Sequence, residues 1–87
     1  MPPARYPSTM AKVHLYAAAR AAVGSPQLSI LADDLGSLVA ALERDYQKLR
    51  SVLPLCSYLL NGTSVKDLST KLSPEDQIDV LPRFAGG

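Results

Sequence analysis

Only one stretch of this chain carries the period of a long helix, and that limits the folds open to it. Leu35, Leu38, Val39, Leu42, Tyr46 and Leu49 recur at three- and four-residue steps, the stripe of a core-facing helix. Asp34 just ahead of the stripe is the natural N-cap, and Asp33 and Asp34 both suit the positive end of a helix. Lys48 and Arg50 suit the other end, and Pro54 closes the element. Glu43, Arg44, Gln47 and Lys48 fall on the wet face. Acids interspersed with bases there argue against a nucleic-acid surface. A lone helix with one apolar face must bury it against another layer, and the alternating segments on either side of it supply a sheet.

The first of these segments is Lys12–Tyr16, with Val13 and Leu15 on one face and Lys12, His14 and Tyr16 on the other. His14 reads as a solvated side chain and is assigned no chemistry. Ala17–Val23 suits a short helix or turn closed by Gly24. Gln27–Leu31 follows the Ser25-Pro26 loop as a second strand, close enough to pair antiparallel with the first. After the helix, Cys56–Leu60 puts Cys56, Tyr58 and Leu60 on one side and Ser57 and Leu59 on the other. Asn61-Gly62 signals a tight turn into a short return strand, Thr63–Val65. Lys66–Ser73 is polar, with Leu68 and Leu72 as its expected anchors. Ser73–Asp76 is a turn. The last strand begins at Gln77, and Pro82, which has no backbone donor, is expected to stop it.

Composition narrows the function. With 87 residues, one domain is expected, and a cleft walled by its own residues is hard to build. Net charge is +1, which gives no electrostatic footprint for nucleic acid or an anionic membrane. No apolar run has the length of a membrane span, and no signal-peptide h-region is visible. The single Cys56 excludes an internal disulfide and fits a reducing cytoplasm. It reads as a small buried hydrophobe, since no base stands near it in sequence. Cys56 and His14 are too few for a zinc site.

The chain end draws the argument. Residues 1–9, rich in proline, read as a flexible leader, 10–83 as the domain, and 84–87 as a flexible tail. Gly86 and Gly87 present the thinnest backbone available and allow close approach to a partner. By itself a Gly-Gly end is the frayed terminus most chains have. The surroundings suggest more. If Val13, Leu15, Ile78 and Val80 face the helix, then Tyr16, Leu59 and Leu81 face away from it, and Phe84 lies beyond any core position. Large apolar residues gathered beside a tail form a patch suited to a partner. Arg20 and Arg83 are placed to pin its rim.

Strand, strand, helix, strand, short strand, strand gives an α+β domain. It is a mixed sheet of four to five strands with one main helix packed on one face. With the first and last strands adjacent and parallel, this is the ubiquitin-like β-grasp. The motifs agree. Lys12–Gly24, with its aromatic-Ala step, its Arg20 and its closing Gly, Leu60-Asn61-Gly62, and Asp76–Gly87 together resemble the MoaD/ThiS family of small sulfur carriers. The resemblance spans about residues 11–87 and is closest to the small subunits of molybdopterin synthase. Glu75 stands where the family usually has Gly, and Arg83 where it usually has a second Pro.

The resemblance implies a function for the tail. The Gly87 carboxylate is expected to be adenylated by an E1-like (MoeB-type) adenylyltransferase that binds the ATP, this chain binding no cofactor itself. A persulfide donor then supplies sulfur, leaving a Gly87 thiocarboxylate. The tail delivers that sulfur within the large (MoaE-type) subunit of molybdopterin synthase, toward the molybdenum cofactor. Gly86 and Gly87 carry the chemistry. Leu81, Pro82, Arg83, Phe84 and Ala85, with Tyr16, Leu59 and Arg20, meet the partners. The chain is then the sulfur-donating subunit and not an autonomous enzyme. Alternatives are a carrier for thiazole (thiamine) or cysteine synthesis, a protein modifier, or a β-grasp interaction module without tail chemistry.

Overall fold

A computed structural model of the chain describes residues 9–83. The elements are β1 (Met10–Leu15), α1 (Ala17–Val23), β2 (Gln27–Leu31), α2 (Leu35–Asp45), β3 (Cys56–Leu60), β4 (Thr63–Val65) and β5 (Gln77–Pro82). Two 3₁₀ turns, Gln47–Arg50 and Leu53–Leu55, link α2 to β3. The five strands form one sheet in the order β2-β1-β5-β3-β4. β1 and β5 are parallel, with Val13 opposite Ile78 and Leu15 opposite Val80. The other three pairings are antiparallel. This is the ubiquitin-like β-grasp, with the first and last strands together at its centre.

One side chain parity builds the core. Ala11, Val13, Leu15, Ile30, Ile78 and Val80 from the sheet meet Leu35, Leu38, Ala41 and Leu42 from α2, all of them buried. Each large aliphatic among them contributes about 1.5–3 kcal/mol by leaving water. Asp34 starts α2 as expected: its carboxylate accepts the Ser37 N–H at 2.7 Å, and this bond holds its pKa below the ordinary 3.8.

The structure corrects the sequence reading in two places. First, α2 stops at Asp45 instead of running on to Leu49. Tyr46 is extended (φ −133°, ψ 92°), and Leu49 reaches the core from the first 3₁₀ turn. An acid at the negative end of the helix disfavours continuation. The Arg50 Nε donates to the Glu43 carbonyl at 3.1 Å, satisfying one carbonyl of the last turn.

Second, Leu68 is no anchor; it is 55% exposed, whereas Leu72 is buried as expected. Backbone fastens that loop instead. The Gly36 N–H donates to the Leu68 carbonyl at 2.8 Å, Leu35 N–H to Thr70 at 2.9 Å, and Leu72 N–H to Asp33 at 2.8 Å. Gly36 permits the approach, because a Cβ there would meet the Leu68 carbonyl oxygen at 3.1 Å.

As expected, β5 ends at Pro82, which is its last paired residue, opposite Cys56. The next residue, Arg83, donates its N–H to the Leu55 carbonyl at 2.8 Å. By strand alternation the nitrogen of Pro82 faces the other way, toward β1, whose pairing has already ended at Leu15. No ladder bond is lost, so proline is tolerated.

At the domain's other end, Thr9 is buried. Its N–H donates to Asp33 Oδ1 at 3.3 Å, and its carbonyl accepts the Ala32 N–H at 2.9 Å.

The start of β5 is held by the hairpin turn. Asn61 (φ 50°) and Gly62 (φ 88°) both lie in the left-handed region, the geometry of a two-residue hairpin turn whose twist suits the flanking strands. The Asn61 amide then bonds outward. Its Nδ2 donates to Asp76 at 2.9 Å, its Oδ1 accepts the Gln77 N–H at 3.0 Å, and its own N–H donates to the Gln77 carbonyl at 2.8 Å. Asp76 also accepts the Ser73 N–H at 2.7 Å. One turn thus fixes where the last strand begins, and with it where the chain leaves the sheet.

Candidate functional site

The opposite parity builds the other face. Met10, Lys12 and His14 of β1, Gln27, Ser29 and Leu31 of β2, Ser57 and Leu59 of β3, Ser64 of β4, and Gln77, Asp79 and Leu81 of β5 point away from α2. None of them is buried. The middle of the face is polar: His14 lies opposite Asp79, whose carboxylate accepts from Gln77 Nε2 at 3.1 Å. Apolar side chains stand on either side of it: Met10 opposite Leu31, both exposed, at the end where β1 begins, and a second cluster toward the end of β5.

Register places that cluster. Leu59 sits opposite Asp79 and Leu81 opposite Ser57. Tyr16 keeps the extended backbone of β1 (φ −129°, ψ 152°), so the alternation runs on and its ring falls outward, 40% exposed. Its carbonyl accepts the N–H groups of Ala19 and Arg20, so its backbone starts α1 while its side chain makes no capping bond. Leu59 and Leu81 are half-buried, because cross-strand neighbours shield a side chain on any sheet face. Arg20 is exposed on α1, and Arg83 is exposed just past β5. Phe84, Ala85, Gly86 and Gly87 lie outside the described residues.

The sequence reading missed Leu55. It is 57% exposed, and its carbonyl takes the Arg83 N–H, so it stands at the point where the chain leaves the sheet. The available signal was an apolar residue after Pro54 with a place in neither the helical stripe nor the strand alternation. Lys66 was missed as well. It shares a groove of about 360 Å³ with Arg83 at the same end of the face.

The described residues offer binding more than bond-making. The Cys56 thiol donates to the Val52 carbonyl at 3.2 Å, and burial pushes its pKa up, the opposite of an activated nucleophile. Burial, with smaller contributions from Cys56 and Glu43, pushes the Tyr58 phenol up to about 12. Among the described residues no three His, Cys, Asp or Glu side chains come together as metal ligands. Among the described residues no helix is long and apolar enough to cross a membrane.

A β-grasp domain with its last strand at the centre, leaving through an apolar corner of an uncovered face, is of the ubiquitin-like class. Residues 13–87 match the model of the ThiS family, and the chain belongs to that family of ubiquitin-like sulfur carriers. Comparison with curated protein sequences finds no match. Among solved structures, it is similar to small archaeal modifier protein 1 from Methanosarcina acetivorans. There the identity is 26% and the TM-score 0.81, over 91% of this chain and 97% of that one. It is also similar to a chain in the complex of subunits 1 and 2 of the molybdopterin-converting factor from Helicobacter pylori. There the identity is 29% and the TM-score 0.72, over 91% of this chain and 100% of that one. The small archaeal modifier protein 1 of Haloferax volcanii shares the fold, at 21% identity and a TM-score of 0.78, over 90% of this chain and 99% of that one.

Proposed function

We propose that this chain carries sulfur on the carboxyl group of Gly87 and donates it in molybdopterin formation, as the small subunit of a two-subunit synthase. The observation that carries the reading is where the last strand ends. β5 lies at the centre of the sheet, and beyond Pro82 the chain leaves beside Tyr16, Leu55 and Leu81. A partner docked on that corner stands where the described chain ends, at Arg83. The Helicobacter pylori relative, found with its subunit 2, supports a large subunit as that partner.

The chemistry needs nothing from the described residues except position. A carboxylate oxygen of Gly87 attacks the α-phosphate of ATP held by an E1-like adenylyltransferase, and pyrophosphate leaves. The terminal sulfur of a persulfide attacks the acyl carbon, and AMP leaves. A thiol reduces the resulting S–S bond, giving the thiocarboxylate. Gly86 and Gly87 let the segment enter a narrow channel without side-chain clash. Ordering it costs about 1–2 kcal/mol per residue, offset by burial of Tyr16, Leu55, Leu81 and Phe84. Leu59, Pro82, Ala85, Arg20 and Arg83 extend the contact.

The test is intact mass after incubation with ATP, an E1-like adenylyltransferase and a persulfide donor. Exchange of one oxygen for sulfur at Gly87 is expected, and deletion of Gly87 abolishes it with the fold intact. An unchanged wild-type mass, or full loading of the truncated chain, overturns the reading. The likeness to a small archaeal modifier protein favours a second reading, in which the activated Gly87 is passed to an amine of another protein. Covalent adducts in place of a sulfur-bearing free chain select it.

A further inference from the structure

The groove at the corner of the open face is not explained by folding. Lys66 and Arg83 line it with the hydroxyl residues Ser57 and Ser64, all four of the outward parity, and Cys56, Tyr58 and Val65 complete the lining. Lys66 and Arg83 are both exposed, and neither joins a salt bridge among the described residues, where the one ion pair is Arg44 with Asp45. Two exposed cations lining one small groove, neither in a salt bridge with a described residue, favour an anion there.

We propose that this groove receives a carboxylate side chain of the protein that docks on the open face. The inference deepens the carrier reading by naming what the partner presents. Two features favour a carboxylate over a phosphate. The lining has no glycine-rich loop or helix N-terminus, the devices that usually cradle phosphate. Arg83 offers a planar fork suited to a carboxylate. The groove is also continuous with the apolar corner: Ser57 lies opposite Leu81, and Arg83 is tied to Leu55. An acidic residue flanked by apolar ones would fill groove and corner together.

The full chain, labelled with ¹⁵N, is titrated with the blocked peptide acetyl-Leu-Asp-Glu-Leu-amide, its Asn/Gln counterpart, and inorganic phosphate. The acidic peptide is expected to shift the amide signals of Ser57, Ser64, Lys66 and Arg83 saturably, and the neutral one to bind at least several-fold more weakly. Lys66→Glu weakens the acidic peptide about tenfold. It leaves the thermal midpoint in place, since Lys66 is exposed and lies past the end of β4. Equal binding of the neutral peptide overturns the inference. So does phosphate binding as tightly at the same signals, or a Lys66→Glu variant that binds as wild type does. Failure here with sulfur loading intact removes only the groove, whereas peptide binding without loading removes only the carrier chemistry.

Discussion

The two faces of this sheet are made from alternate residues of the same strands, yet they carry different information. On β1 and β5, Val13, Leu15, Ile78 and Val80 are all but inaccessible to solvent. Between them Lys12 and His14, Gln77, Asp79 and Leu81 stay exposed or half-buried. The covered parity is fixed by the need to bury the α2 stripe, and any close-packed aliphatic set meets that need. The open parity does nothing for the core, so its mixture of a polar centre with apolar side chains at either end reflects what meets the sheet from outside.

The comparison breaks most easily on the covered side. Leu42 is fully buried on α2, and Leu42→Ala is expected to cost about 2–5 kcal/mol through lost transfer energy and a residual cavity. In a domain this small that lowers the thermal midpoint by about 10 °C or more, read by circular dichroism. A drop of only a degree or two means that α2 is not the element that holds the sheet.

A smaller effect is expected where α2 is fastened. The Ser37 N–H bonds to Asp34 and is the main cause of its lowered pKa; a neighbouring Lys71 helps slightly. A carboxyl whose folded pKa lies below its unfolded value stabilises the fold fully above that unfolded value. The contribution fades as pH falls through the folded pKa. Stability should therefore decline below about pH 4. Asp34→Asn keeps a capping acceptor but removes this proton linkage, so its acid decline should be shallower than that of wild type. Asp34→Ala loses the cap and costs about 1 kcal/mol at neutral pH. Urea denaturation at pH 7 and near pH 3 distinguishes these outcomes. An Asp34→Asn variant with the wild-type acid slope assigns the linkage elsewhere.

Much of this was legible in the sequence because it is local. The N-cap at Asp34, the Asn61-Gly62 turn and the parities of Val13, Ile78 and Tyr58 depend on residues a few positions apart. The exceptions depend on distant partners. The end of α2 involves Arg50 reaching back to Glu43. The loop carrying Leu68 is held by backbone bonds to the start of α2, which no side-chain pattern records. The candidate site divides the same way. Tyr16, Leu59 and Leu81 follow from alternation. Leu55 is placed by a bond to Arg83, and Lys66 comes to line the same groove as Arg83 because β3 pairs with both β4 and β5.

The smallest effect on stability is expected on the open face, and there it matters most that the effect is small. Tyr16→Ser removes a large, 40%-exposed ring while sparing the backbone carbonyl that receives the N–H groups of Ala19 and Arg20. Surface changes away from caps and buried bonds usually stay within about 0.5 kcal/mol, so the melting curve should scarcely move. An aromatic side chain at the centre of a protein interface is often worth about 2 kcal/mol or more. Affinity for an adenylyltransferase that loads the wild-type chain should then fall by about tenfold or more, measured by titration calorimetry. If Tyr16→Ser instead unfolds the domain as Leu42→Ala does, the open face also belongs to the core. If it alters neither melting nor binding, the apolar corner is not where partners dock.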